Sequence, residues 1–281
     1  MAKRKKPAAE PLPTIWRCDD LLWAKIQTVL DEHDPPAKYG PDRIDQRAAL
    51  DGVIFRMRSG CQWNQLPEIF GDDSSVHRTF QRWVKRDVFK HVWADLIEAC
   101  DELGGVDWQW QSADCALGKA RMGGDKIGPN PTDRGKNGTK RGVLTEADGG
   151  PIAVALAPAN RHDSLLLQDT LEAVVVEPPN PVTGPTQHLC LDKAFDGAPS
   201  EATAKVFGYE PHIRRIGEEK LNEKREKKHP ARRWVVERTI SWLNKCRGIL
   251  IRWDKKSENY LGLIQLACGL LWYRRERRLA T

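Results

Sequence analysis

The sequence predicts an α/β fold in which an all-helical segment precedes a layer of strands and helices. Three observations carry this. Apolar residues recur at helical spacing through the first third of the chain. The texture changes after Gly104–Gly105, and short apolar strands then alternate with helices to the end of the 281 residues.

Residues 1–13 are rich in Lys and Pro and read as a disordered basic tail. Asp19 or Asp20 caps a first helix reaching about Leu30, with Leu22, Ile26, Val29 and Leu30 on its apolar side. Pro35, Pro36, Gly40 and Pro41 make His33–Pro41 a linker. Ala49, Val53 and Met57 mark a helix over Asp45–Arg58 that Gly60 stops. A short helix around Trp63–Phe70 follows, then Val76–Lys85 capped by Ser74 or Ser75, then Val88–Cys100. Short helices, tight Gly turns and a basic capped helix suit a helix-turn-helix-like DNA-binding domain over 14–101, with Arg78, Arg82 and Lys85 as candidate DNA contacts.

Within 102–281, Trp108–Ala113 reads as a strand and the Gly/Pro-rich stretch Gly118–Gly142 as a loop. Val143–Thr145 and Ile152–Leu156 form a hairpin around Asp148-Gly149-Gly150. Leu165–Val176 and Ser200–Phe207 are helical, and His188–Asp192 and His212–Ile216 are strands. Arg232–Lys245 and Tyr260–Arg274 close the chain as helices.

Composition narrows the function. Hydrophobic residues are 40% and charged residues 30%, which excludes wholesale disorder. The longest apolar run, Tyr260–Tyr273, carries Gln265 and falls short of the roughly 18 residues that cross a bilayer. Lys3–Lys6 are followed by Pro7, Glu10 and Pro11 rather than an apolar stretch, so neither export nor a membrane partner is expected. Seven widely spaced cysteines without a Cys-x-x-Cys pair disfavour disulfides and a zinc knuckle and fit a reducing, cytoplasmic setting.

The net charge of +6 is unevenly spread: residues 211–281 carry 19 Lys+Arg against 8 Asp+Glu. Gly118–Gly142 adds seven Lys+Arg against Asp125 and Asp133. Clustered positive charge with interleaved Trp is the footprint of a phosphate-backbone binder. Arg134, Lys136, Lys140 and Arg141 are read as loop residues and candidate contacts to the DNA backbone.

Three acids stand out. Asp114 ends the first strand, Asp192 ends another, and ligand groups in open α/β sheets gather at such ends. Asp196 could serve in place of Asp192. Glu237 lies mid-helix on a face shared with Arg233, Ser241 and Asn244, beside an apolar stripe of Val236, Ile240 and Leu243. Three converging carboxylates repel one another unless a cation neutralises them. Mg2+, a hard ion suited to phosphate chemistry, is the natural partner, and two such ions could drive in-line phosphoryl transfer without ATP or a covalent intermediate. No phosphate-cradling Gly-rich loop is present.

Several runs resemble bacterial insertion-sequence transposases of the DDE type, IS-five family, within the IS-four-like superfamily. They include Arg47-Ala48-Ala49-Leu50-Asp51-Gly52-Val53-Ile54, Ser59-Gly60-Cys61-Gln62-Trp63-Asn64-Gln65-Leu66-Pro67, Gly128-Pro129-Asn130-Pro131-Thr132-Asp133-Arg134-Gly135-Lys136, Ala159-Asn160-Arg161-His162-Asp163 and Arg233-Trp234-Val235-Val236-Glu237-Arg238-Thr239. The resemblance covers Trp16 to about Arg275. It implies a ribonuclease-H-like catalytic domain with basic C-terminal helices, in which Asp114, Asp192 and Glu237 are the catalytic acids and hold two Mg2+ ions, with Mn2+ as a substitute. It implies binding to terminal inverted repeats, strand cleavage, and joining of the 3′-OH ends to target DNA by a homodimer or higher oligomer at the bacterial nucleoid. Arg233 matches the arginine of a Tyr-x2-Arg-x3-Glu-x6-Lys signature, while Pro230 and Asn244 replace its Tyr and Lys and Lys245 stands next door. Arg233, Arg238 and Lys245 therefore join the candidate DNA contacts.

Two other readings stand beside this one: a repurposed DNA-binding protein or repressor that does not cut, and a stand-alone metal-dependent nuclease that cuts without joining. His162 and Asp163 are read as a helix cap before a catalytic pair, and Cys115 as a packed thiol before a nucleophile. Trp234, Trp242 and Trp253 are candidates for stacking on an unpaired base.

Overall fold

A computed structural model describes residues 13–36, 39, 42–180, 183–213 and 234–280. The basic tail before Pro13, part of the His33–Pro41 linker, residues 214–216 of the last expected strand, and Arg232 and Arg233 lie outside the described residues.

The helical segment follows the capping chemistry of the sequence. Helix α1 (Asp20–His33) starts at Asp19, whose carboxylate accepts from the Leu22 amide at 2.9 Å. Helix α2 (Gln46–Ser59) starts at Asp45 and ends at Gly60, held in the left-handed region at φ 71° where a glycine costs least. Trp63–Gln65 and Glu68–Phe70 form two single 3-10 turns in place of one short helix. Helix α3 (Asp73–Lys85) is capped by Asp72, two residues ahead of Ser74 and three ahead of Ser75, because its carboxylate reaches the Ser75 amide at 2.8 Å. Helix α4 (Val88–Glu102) completes the segment.

Asp34, just past α1, is 1% exposed. Its carboxylate accepts from Arg43 and Arg82, from Arg86, and from the Trp83 indole at 3.0 Å. One buried acid thus fastens the end of α1 to α3.

The sheet contains β1 (Trp110–Ala120), β2 (Gly128–Pro129), β3 (Asn137–Glu146), β4 (Pro151–Pro158), β5 (Gln187–Leu191), β6 (Tyr209–Ile213) and β7 (Ile251–Arg252). Its main order is β4-β3-β1-β5-β6, with β2 also on β3 and β7 on β1. β1, β3 and β4 are antiparallel, whereas β5, β6 and β7 run parallel to their neighbours. Helices α5 (Asp163–Glu172), α6 (Ala198–Val206), α7 (Trp234–Asn244), α8 (Arg247–Leu250) and α9 (Ser257–Leu279) accompany it. This is a mixed α/β layer behind a helical segment, as the sequence predicts.

β1 is longer than expected, and Gly118–Gly142 is not one loop. β1 pairs with β3 from Gln111↔Glu146 to Lys119↔Gly138. The glycines that read as loop punctuation are close-approach positions in strands: a Cβ on Gly142 would lie 2.1 Å from Thr170 Oγ1, and one on Gly138 2.9 Å from Asn130 Cβ. The true loop spans 121–136, interrupted only by β2.

Helix α9 returns to pack along α4 and β4. The indoles of Trp93 on α4 and Trp272 on α9 both donate to the Pro151 carbonyl, at 2.9 and 2.6 Å. One hydrophobic cluster therefore runs from Leu22 and Val53 through Trp93 to Leu144 and Leu270, across the boundary expected from the sequence at residue 101. No described helix is long and apolar enough to cross a membrane.

Candidate active site

Strand alternation assigns Asp114 to a face. Successive side chains on β1 and β3 point to opposite sides of the sheet, and paired residues share a side. Gly142, opposite Cys115, abuts Thr170 and Leu166 of α5. Arg141, opposite Ala116, donates to the Asn244 side chain of α7 at 2.8 Å. Asp114, paired with Val143, is on the side of Arg141 and therefore on the side covered by α7. Its carboxylate accepts from the Cys115 amide at 2.7 Å.

Asp114 does not end β1; it lies mid-strand. What ends there is the parallel neighbour. The β1/β5 ladder stops at Ala113↔Leu191, and β7 takes up the same edge of β1 only at Lys119. Asp114 and Asp192 are each one residue beyond the last pair, so the register sets them side by side where β5 peels away. Asp192 caps the 3-10 turn Lys193–Phe195 by accepting from the Lys193 amide. Asp196 closes that turn, exposed and four residues further on.

Glu237 is exposed in the first turn of α7. The helix buries Val235, Val236, Thr239 and Leu243 against β1 and β3. Thr239 Oγ1 donates to the Gly149 carbonyl at 2.6 Å, the Arg238 guanidinium donates to the Asp148 carbonyl, and Asn244 accepts from Arg141. α7 is thus pinned at both ends over the face that carries Asp114. Among the described residues, the three acids do not close into a group with all ligand atoms within 4.8 Å. A pair of ions about 3.5–4 Å apart sets outer ligands further apart than a single ion does.

Two neighbours are excluded from this chemistry by orientation. His162 caps α5, its Nδ1 accepting from the Ser164 amide at 3.3 Å, on the other side of the sheet. Cys115 also faces α5, and burial, then the Asp163 and Asp114 carboxylates, push its thiol far above the usual range. Without a thiolate at neutral pH it is no nucleophile. Cys115→Ala is expected to leave any activity of this site within about threefold of wild type, well below the roughly 100-fold loss a catalytic group produces; a larger loss with the fold intact would return Cys115 to the chemistry.

Residues 95–272 match the family described as "Transposase DDE domain", and residues 19–93 match "Putative transposase of IS4/5 family". The chain belongs to the IS4/5-type DDE transposases. It is 32% identical over 169 residues to a protein of Burkholderia cepacia described as "Putative transposase for insertion sequence element IS402", covering 56% of this chain and 74% of that one. It is 38% identical over 108 residues to "Uncharacterized protein y4sN" of Sinorhizobium fredii, covering 37% and 80%. A solved structure, the Mos1 mariner paired end complex with Mn, overlaps 97% of this chain and 89% of that one at 12% identity and a TM-score of 0.28.

The basic residues of this transposase divide into two sets. Lys140 and Arg141 are not in a loop: they lie on β3, 8% and 1% exposed. Lys140 donates to the Asp163 carboxylate and the Arg161 carbonyl, and Arg141 holds Asn244. Arg82 is likewise engaged by Asp34. These three have structural partners, because a cation facing the interior needs a counter-charge or acceptors. Arg78, Lys85, Arg134 and Lys136 are exposed, and Arg134 sits at the tip of a turn braced by Asn130. Arg233 lies outside the described residues.

The second set lines a cleft between α7, α9 and the β3–β4 hairpin. Arg58, Arg238, Lys245, Arg274, Arg275 and Arg278 surround it. Arg238 stands over both Trp234 and Trp242, at 4.6 and 4.8 Å from their ring centres, so both indoles act as a cation-π clamp. Arg275 is committed to Glu146 at 2.8 Å. Arg58, Arg274 and Arg278 were not singled out from the sequence. For Arg274 and Arg278 the signal was the Arg-Arg-x-Arg-Arg run at 274–278 and the positive charge of the last quarter of the chain; Arg58, at the end of α2, had no such signal.

Proposed function

We propose that this transposase binds the ends of its insertion element, cuts them, and joins the freed 3′-hydroxyls to target DNA. The carrying observation is the placement of Asp114 and Asp192 side by side at the end of the β1/β5 ladder, on the sheet face crossed by the helix that bears Glu237. Three carboxylates from three elements are an oxygen-only donor set, which fits a hard divalent cation. Asp114, Asp192 and Glu237 would hold two such ions, Mg2+ or Mn2+, which lower the pKa of an attacking water or hydroxyl and stabilise the leaving oxygen.

The rest belongs to the chain's own residues. β1 holds Asp114, the end of β5 and the 3-10 turn after it hold Asp192, and the Thr239 and Asn244 bonds fix the helix that carries Glu237. The Arg238–Lys245–Arg278 cleft begins one residue from Glu237 and supplies positive charge for the phosphate backbone leading to the scissile bond. Arg134 and Lys136 extend that charge from the 121–136 loop, and Arg78 and Lys85 from α3. Two ends must be held at once during joining, so the working form is a dimer or larger, acting on the nucleoid in the cytoplasm.

The test is a strand-cleavage and joining assay on DNA flanking the coding gene, with Mg2+. Discrete cuts plus joined products support transposition. Binding without cutting would favour the repurposed DNA-binding protein, and cuts that are never joined would favour a stand-alone nuclease. A second expectation concerns salt. Binding should weaken steeply with ionic strength, and Lys245→Ala with Arg278→Ala should flatten the log–log slope by about 2, roughly one per lost phosphate contact. An unchanged slope would take the cleft out of the DNA path.

A further inference from the structure

We propose that His188, Glu210 and His212 form a binding site for one transition-metal ion, zinc by preference, separate from the three acids. β5 and β6 are parallel, and their register pairs His188 with Glu210 and Cys190 with His212. The three side chains therefore stand on one face of two adjacent strands. Their ligand atoms all lie within 4.8 Å of one another. His188 Nδ1 is 3.0 Å from His212 Nε2 and 3.3 Å from Glu210 Oε2. A tetrahedral zinc ion with bonds of about 2.0–2.1 Å separates its ligands by roughly 3.3 Å, so the two sides that meet at His188 are already close to the size the ion requires.

The rings are held in place. The Trp110 indole stacks on His188 with centroids 4.4 Å apart and leans on His212 at 5.1 Å. Without an ion, the cluster is satisfied by a His–His hydrogen bond and a His–Glu pair. A metal would take the place of the shared proton, because neutral imidazole nitrogens bind it through the same lone pairs. Two nitrogens and one carboxylate select a borderline ion such as Zn2+ over Mg2+, whereas the oxygen-only acids select the reverse. His188 precedes Asp192 by four residues along β5, about 13 Å at ~3.3 Å per residue, so the two centres do not share an ion. Among the described residues, β6 is the last strand at this end of the main path, paired with β5. An ion here cross-links that edge to the strand that carries Asp192.

The experiment titrates full-length Asp114→Asn/Glu237→Gln protein with Co2+, read by its visible d–d absorption, with Zn2+ competition and excess Mg2+ present. The expected result is one tetrahedral ion per chain, displaced by Zn2+ but not by Mg2+. His188→Gln and His212→Gln should each weaken it by at least roughly 100-fold, more than the loss of an outer-sphere partner. Equal binding by either His variant, displacement by Mg2+, or a near-ultraviolet thiolate charge-transfer band would overturn the site. Circular dichroism in chelator checks that each variant folds. Where a His variant does not, the exposed Glu210→Gln decides: weakened binding supports the site, and unchanged binding removes it.

Discussion

Asp114→Asn, Asp192→Asn and Glu237→Gln should each slow single-turnover strand cleavage by about a thousandfold, or ~4 kcal/mol on the barrier, while binding of end DNA persists. Each change keeps the side-chain volume and removes one negative charge from the donor set. The fold has little reason to respond. An amide oxygen still accepts the Cys115 amide at position 114 and the Lys193 amide at position 192, and Glu237 is exposed. The loss therefore falls on the chemical step. Cleavage within about tenfold of wild type in any one variant would remove that acid from the centre, and loss of binding in parallel with cleavage would mean that the variant had disturbed the fold.

The second large effect is on stability. Asp34→Ala should destabilise the protein by about 3–5 kcal/mol, the range for removing one partner of a buried ion pair. Asp34 is the common acceptor of Arg43, Arg82 and Arg86 and of the buried Trp83 indole. Its removal leaves three guanidinium groups repelling one another and an indole N–H without an acceptor in a 1% exposed region. Denaturant unfolding measures the change, and a loss below about 1 kcal/mol would show that water repays the removed charge.

The reach of the sequence differs between local and non-local features. The Asp19 cap and the Gly60 stop were legible because their chemistry is local and acts within one helical turn. The apolar runs marked the strands beside Asp114 and Asp192, but placed Asp114 at a strand end when it lies mid-strand, while Asp192 does follow the end of β5. The extent of β1 was not legible, since its second half, Asp114–Ala120, is held by pairing with β3 rather than by its own propensity. Gly118, Gly138 and Gly142 were read as loop residues, yet at 138 and 142 a side chain would strike Asn130 and Thr170. Lys140 and Arg141 were then assigned to that loop, whereas alternation on β3 turns them to opposite faces and gives each an internal partner. The Asp34 network and the His188–Glu210–His212 triangle join residues 48–52 and 24 positions apart, which no local pattern reveals.

The central claim is that Asp114, Asp192 and Glu237 act as one metal centre. The most direct measurement is a crystal structure of the full-length protein with Mn2+, read by the anomalous signal of the ion. The account predicts density in contact with the Asp114 and Asp192 carboxylates and a second contact reaching Glu237. Density at the two aspartates with Glu237 turned away and replaced by another acid would contradict it.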